Sequence, residues 1–173
     1  MLIITFLQRA ILFIFTGFLL SLGFASIQAN AGSHGELVAG WLENAFLEDH
    51  QIQIKAKLDT GADVSSLNAP HYELFEQDGG KWVRFRVQNS VGKSVVLERP
   101  VVRYATIVRA GAQKIRRPVI ELLLCVGGLR KKTEVNLSDR TGLDYQLLIG
   151  RNFLSEGMLV HSGKTFLKSG LCN

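Results

Sequence analysis

Residues Ile52 to Leu58 alternate strictly: Ile52, Ile54, Ala56 and Leu58 are apolar, while Gln53, Lys55 and Lys57 are polar. A period of two sends the two sets to opposite faces, so the segment reads as a half-buried β-strand. It runs into Asp59-Thr60-Gly61-Ala62-Asp63. A carboxylate is thus delivered at a strand-to-loop transition, followed by a hydroxyl, a conformationally permissive glycine and a small residue. Alone, the triplet Asp-Thr-Gly is an ordinary turn, because all three residues are common in turns.

The alternation recurs along the chain. Val83, Phe85 and Val87 share one face of the segment 81–89, with Arg84 and Arg86 on the other. Residues 90–109 hold two further strand candidates, with Pro100 marking a break, a bulge or an edge. Residues 117–139 read as a strand pair turned at Gly127-Gly128. Residues 145–150 form a short apolar strand, and 151–157 one or two helical turns stopped by Gly157. Short strands at roughly 8–12-residue spacing with few helices predict a closed or barrel-like all-β domain.

The N-terminus is of another kind. Ala10 to Ala29 carries no charge, Arg9 is the one charged residue before it, and Ala29-Asn30-Ala31 supplies small residues for cleavage. Residues 1–31 read as a secretory signal peptide cut after Ala31 or Ala29. The alternative is an uncleaved inner-membrane anchor, since about 20 apolar residues span a bilayer. Either way the rest is exported to the periplasm: a linker over 32–36 and a domain over 37–173. From Gly32 onward 19 Lys and Arg face 15 Asp and Glu. The charge is scattered, and no run of like charges has the length of a nucleic-acid arm. Cys125 and Cys172 are the two cysteines. An oxidising compartment permits a bridge between them. Equally, Cys125 lies in an apolar run where a buried thiol is at home.

A second segment, Leu147 to Leu154, reads L-L-I-G-R-N-F-L. Paired in this order with D-T-G-A-D, it resembles the retropepsins, the aspartic proteases of retroviral type. Together with "WVRFRV", "RPVI" and "SEGMLVHSGKTFL", the two segments are similar to a bacterial retropepsin-like family often labelled ATP-dependent zinc protease. The likeness runs from about Leu37 to Lys168. Many members carry Arg where this chain has Asp63 and His where it has Asn68.

The resemblance implies an acid-protease fold, a closed all-β barrel with one short C-terminal helix, and an aspartic endopeptidase acting on peptides or proteins. Asp59 would be the catalytic carboxylate, Thr60 would lock paired loops across subunits, and Gly61 would allow the turn. Ala62 and Asp63 would line the substrate cleft. Gly150, Arg151 and Asn152 would support the site from behind, with Arg151 reaching Asp63. A flap would correspond to Arg103–Pro118 with Gly111 at its tip. Aspartic-protease chemistry needs two carboxyl groups sharing one proton. The exported part holds one such segment, and Asp139 and Asp144 read as turn or capping residues. The second carboxylate is therefore expected from Asp59 of a second copy across a twofold axis. The alternative is a non-enzymatic periplasmic binding or assembly module on the same fold.

The residues do not support a cofactor. His34, His50, His71, His161 and the cysteines show no zinc-ligand spacing. Val91-Gly92-Lys93-Ser94 lacks the earlier glycine of a phosphate-binding loop, Val87 standing in its place. It reads as a hairpin turn.

Overall fold

The computed structural model describes residues 36–47, 52–108, 114–168 and Cys172. The signal-peptide or anchor segment, all of the linker but Glu36, and the proposed flap tip at Gly111 lie outside the described residues. Among those described, no helix is long and apolar enough to cross a membrane.

The architecture is all-β, with one short helix. Eleven strands are described: β1 (Leu37–Leu47), β2 (Ile52–Leu58), β3 (Ser65–Asn68), β4 (Glu73–Gln77), β5 (Gly80–Gln88), β6 (Ser94–Pro100), β7 (Arg103–Ile107), β8 (Ile115–Val126), β9 (Leu129–Ser138), β10 (Leu147–Ile149) and β11 (Met158–Thr165). Helix α1 (Arg151–Leu154) stands between β10 and β11. Eight strands form one sheet in the order β11-β1-β2-β10-β3-β9-β8-β7, and a further β1–β8 pairing closes six of them into a ring. Strands β4-β5-β6 form a separate three-stranded sheet. Its inner residues Val83, Phe85, Val87 and Leu97 join the common core with Ile54, Leu58, Leu67, Leu124, Leu137, Ile149 and Phe153.

Strands read by alternation appear where expected. In β2, Ile52, Ile54, Ala56 and Leu58 are buried, and Gln53 and Lys55 are exposed. Gly127 and Gly128, at φ +62° and +91°, make the two-residue turn between β8 and β9. Two positive dihedrals in a row match the right-handed twist of the flanking strands. Residues 89–93 turn β5 into β6: the Asn89 carboxamide oxygen accepts the Val91 and Lys93 N–H groups at 3.2 and 2.9 Å. Pro100 ends edge strand β6, opposite Trp82, where a missing N–H costs nothing.

Strands β1, β3, β4 and β11 go beyond the sequence reading. β1 hides its period because buried Glu43 takes an inward position between Trp41 and Ala45. Its Oε1 accepts the backbone N–H groups of Gly40, Leu167 and Lys168 at 2.7, 2.8 and 3.3 Å. The strand also bulges between Gly40 and Leu42, where β11 comes close. A Cβ on Gly40 would lie 2.6 Å from the Lys164 carbonyl oxygen. A disulfide joins Cys125 of β8 to Cys172, with Cα atoms 5.9 Å apart.

Candidate active site

The loop after β2 is positioned by strand order. β10 lies between β2 and β3, parallel to β2 and antiparallel to β3. The segment 59–64 must therefore cross the end of β10 to get from one side to the other. It crosses at Gly150, the N-cap of α1. A Cβ there would lie 2.9 Å from the Ala62 carbonyl oxygen, 2.9 Å from the Val64 carbonyl carbon and 3.1 Å from the Ser65 nitrogen. Backbone atoms cannot step aside as a side-chain tip can, so only glycine fits.

The crossing is bonded throughout. The Asp59 N–H donates to the Ile149 carbonyl at 2.8 Å, fixing the first residue after β2 to the end of β10. The Arg151 N–H donates to the Ala62 carbonyl at 2.8 Å, and the Asn152 N–H to the Asp63 carbonyl at 3.1 Å. The first amides of a helix have no partner within it, and here the loop carbonyls accept from two of them. The Arg151 guanidinium adds two contacts, donating to the Thr60 carbonyl at 2.8 Å and pairing with the Asp63 carboxylate. The structure thus brings Asp63 and Arg151 together.

Behind the loop, Asn152 Oδ1 accepts both the N–H and the hydroxyl of buried Ser65, at 3.0 and 2.9 Å. The Ser65 hydroxyl in turn accepts the Gly150 N–H at 3.0 Å. Asn152 Nδ2 donates to the Glu134 carbonyl of β9 at 2.8 Å. One carboxamide therefore ties α1, β3 and β9 together.

Asp59 points outward and is partly exposed. Its Oδ1 accepts the Gly61 N–H at 3.0 Å, and its Oδ2 lies 3.4 Å from Lys57 Nζ. Thr60 and Gly61 are exposed beside it. The described residues place no second Asp-Thr-Gly loop next to this one. Asp139 instead accepts the Thr141 N–H at 2.8 Å in a local turn. Hydrogen bonds from the Thr141 side chain and backbone hold its carboxyl below the usual range.

A cleft of about 480 Å³ opens between this loop and the β7–β8 hairpin. Ala62, Asp63 and Val64 line one side, and Arg103 to Ile107 of β7 the other. The hairpin expected as a flap thus faces the loop. The floor is polar: the Ser66 hydroxyl bonds Asn136 Oδ1 at 3.1 Å and the Ser138 hydroxyl at 2.8 Å. Arg103, Arg117 and Arg140 bring three guanidinium groups to the lining, beside the Asp63 carboxylate; the Arg103 guanidinium is already paired with Glu134, to which its Nε donates at 2.9 Å. Burial first, then the like charge of Arg117, pushes Arg140 below the usual guanidinium range, and Asp59 opposes the shift. Sequence reasoning missed Lys57, Ser65, Ser66, Asn136 and Arg140. Only Lys57 carried a signal, since alternation puts it on the same face as Asp59.

Among the described residues, no three His, Cys, Asp or Glu side chains gather so as to hold a metal ion. Asn68 donates nothing to such a cluster; its Oδ1 accepts the Arg140 N–H at 2.8 Å.

Known proteins resemble this chain in sequence and fold. A structural-genomics crystal structure of a Legionella pneumophila protein of unknown function is similar, with a TM-score of 0.66 and 31% identity. The match covers 78% of this chain and 99% of that one. A protein of Shewanella pealeana named probable alpha-L-glutamate ligase is 32% identical over 116 residues, 65% of this chain and 25% of the relative. One of the same name from Parasynechococcus marenigrum is 33% identical over 112 residues, 62% of this chain and 24% of the relative. The chain spans about a quarter of the length of these curated relatives. The sequence model of the RimB-like family, described as retropepsin-like aspartic endopeptidase RimB, matches residues 38–170, and the chain belongs to that family.

Proposed function

We propose that the protein is an exported aspartic endopeptidase, active as a homodimer in which Asp59 and Asp59 of a second copy form the catalytic dyad. The observation that carries this reading is the braced loop: Asp59 is partly exposed at its start, Ala62 and Asp63 further along it line the cleft, and Arg151 and Asn152 hold it in place. Such bracing suits a carboxylate that must meet another within a few ångströms. One carboxyl keeps a proton, because two like charges so close resist ionising together. The ionised one takes a proton from water, and the water oxygen attacks the scissile carbonyl carbon. The protonated one donates to the carbonyl oxygen as it becomes tetrahedral. Proton transfer to the nitrogen then lets the C–N bond break. The dyad titrates as a pair, so neither copy is assigned the proton.

The substrate we infer is an acidic peptide bearing glutamyl residues. Arg117 and Arg140 of the cleft support this, since a guanidinium matches carboxylate geometry and Arg103 is already engaged by Glu134. So do the names of the curated relatives, which concern glutamate ligation. Export is supported by the Cys125–Cys172 disulfide, a bond that persists in oxidising compartments. The test is cleavage of glutamate-rich and neutral peptides by the wild type and Asp59→Asn, with and without a pepstatin-type inhibitor. Loss of at least about a thousandfold in kcat/KM in the variant is expected. Unchanged cleavage would sink the reading. Acidic peptides bound but never cut would favour a binding or assembly module, for which the arginine-lined cleft alone suffices.

A further inference from the structure

The two oxygens of Asp59 have different neighbours. Oδ1 accepts the Gly61 N–H at 3.0 Å, and Oδ2 faces the Lys57 ammonium at 3.4 Å. Lys57 precedes Asp59 by two residues, so both side chains leave β2 on its outer face, away from Ala56 and Leu58 in the core. The side chains of Lys57 and Asp59 are 43% and 27% exposed. In one protomer, water screens such a pair and it contributes little.

Association changes that setting. A dyad requires a second copy to cover Asp59, which removes water and brings two carboxylates together. Lower polarity then strengthens both their repulsion and the attraction of each for its own lysine. Arg140 also feels Asp59, but its Nε donates to the Tyr145 carbonyl at 3.0 Å, which fixes its direction. Lys57 is the cation whose charged atom lies against the Asp59 carboxylate.

We propose that Lys57 is a positioning residue of the dyad: its ammonium holds the Oδ2 side of Asp59 and offsets the repulsion between the two carboxylates as the copies meet. This rests on the homodimeric dyad proposed above. Lys57→Met keeps the apolar stem and removes the charge, whereas Lys57→Arg keeps a charge.

The experiment measures the dimer dissociation constant of the exported chain by sedimentation velocity. It compares wild type, Lys57→Met, Lys57→Arg, Asp59→Asn and the double variant Lys57→Met with Asp59→Asn. kcat and KM on a glutamate-rich peptide are measured at saturating dimer for the chains that retain Asp59. Lys57→Met is expected to raise the dissociation constant about tenfold and to lower kcat more than it raises KM. Lys57→Arg is expected to restore most of the loss. In the Asp59→Asn background the methionine is expected to change nothing, because the charge it leaves uncompensated is gone. An equal effect of Lys57→Met in both backgrounds would make Lys57 a packing residue and overturn the proposal. So would a wild-type dimer that Lys57→Met neither weakens nor slows. A wild type that stays monomeric at every concentration would overturn the dyad itself, and the role of Lys57 with it.

Discussion

At Gly150 a single hydrogen atom decides whether the loop can cross β10. Its φ of −95° is ordinary, so the requirement is for space and not for an unusual dihedral. Gly150→Ala is expected to push Ala62 and Val64 outward, at a cost of about 1–3 kcal/mol seen in urea unfolding. It should also lower kcat/KM at least about a hundredfold, because a displacement of one ångström misaligns a dyad. Arg151 behaves differently. Its pair with Asp63 is open to water, with side chains 50% and 82% exposed, so its worth lies in direction. Arg151→Lys is expected to leave the melting temperature nearly unchanged while lowering kcat/KM about tenfold or more, because an ammonium cannot reproduce the guanidinium fork that spans Thr60 and Asp63. An equal loss of stability and activity would count against that reading. The meeting of Asp63 with Arg151 was legible because a motif carries both. Ser65 and Arg140 were not, because what matters about them is which distant backbone they meet.

Between elements, the bracing of the loop converges on Asn152. Its carboxamide joins α1 to β3 and β9, and the Lys131 ammonium donates to the Asn152 main-chain carbonyl at 2.7 Å. Asn152→Ala would leave the buried Ser65 N–H and hydroxyl and the Glu134 carbonyl short of a partner. A loss of about 2–4 kcal/mol is expected from denaturant unfolding, because unsatisfied buried groups cost more than a made bond contributes. Asn152→Asp keeps the acceptor for Ser65 and loses the donor to Glu134, so it should fall between. Strands with an uninterrupted period, such as β2 and β5, were legible in full. β1 was not, because Glu43 faces inward and the strand bulges at Gly40. β3 was not, because Ser65 and Ser66 are buried polar residues that only their partners explain. β4 had a usable signal: Asp78-Gly79, with φ +50° and +74°, forms the hairpin turn into β5.

Over the whole molecule two links are open to test. One is the disulfide, whose cysteines stand 47 residues apart. Closing a loop of that length stabilises by about 4 kcal/mol in the chain-entropy account. Cys125→Ala paired with Cys172→Ala should therefore unfold at distinctly lower urea than the oxidised protein, with kcat per folded molecule kept. The other link is the twofold pairing proposed above. If each active site needs one Asp59 from each copy, Asp59→Asn chains poison the wild type they pair with. In an equal mixture re-equilibrated above the dimer dissociation constant, wild-type pairs make up about a quarter of all dimers. Activity should then fall to about one quarter of that of wild type at the same total concentration. Were a single chain sufficient, the variant would only dilute the enzyme and about one half would remain. The mixing curve separates the two without any knowledge of the natural substrate, because it counts carboxylates per active site and depends on nothing else in the reaction.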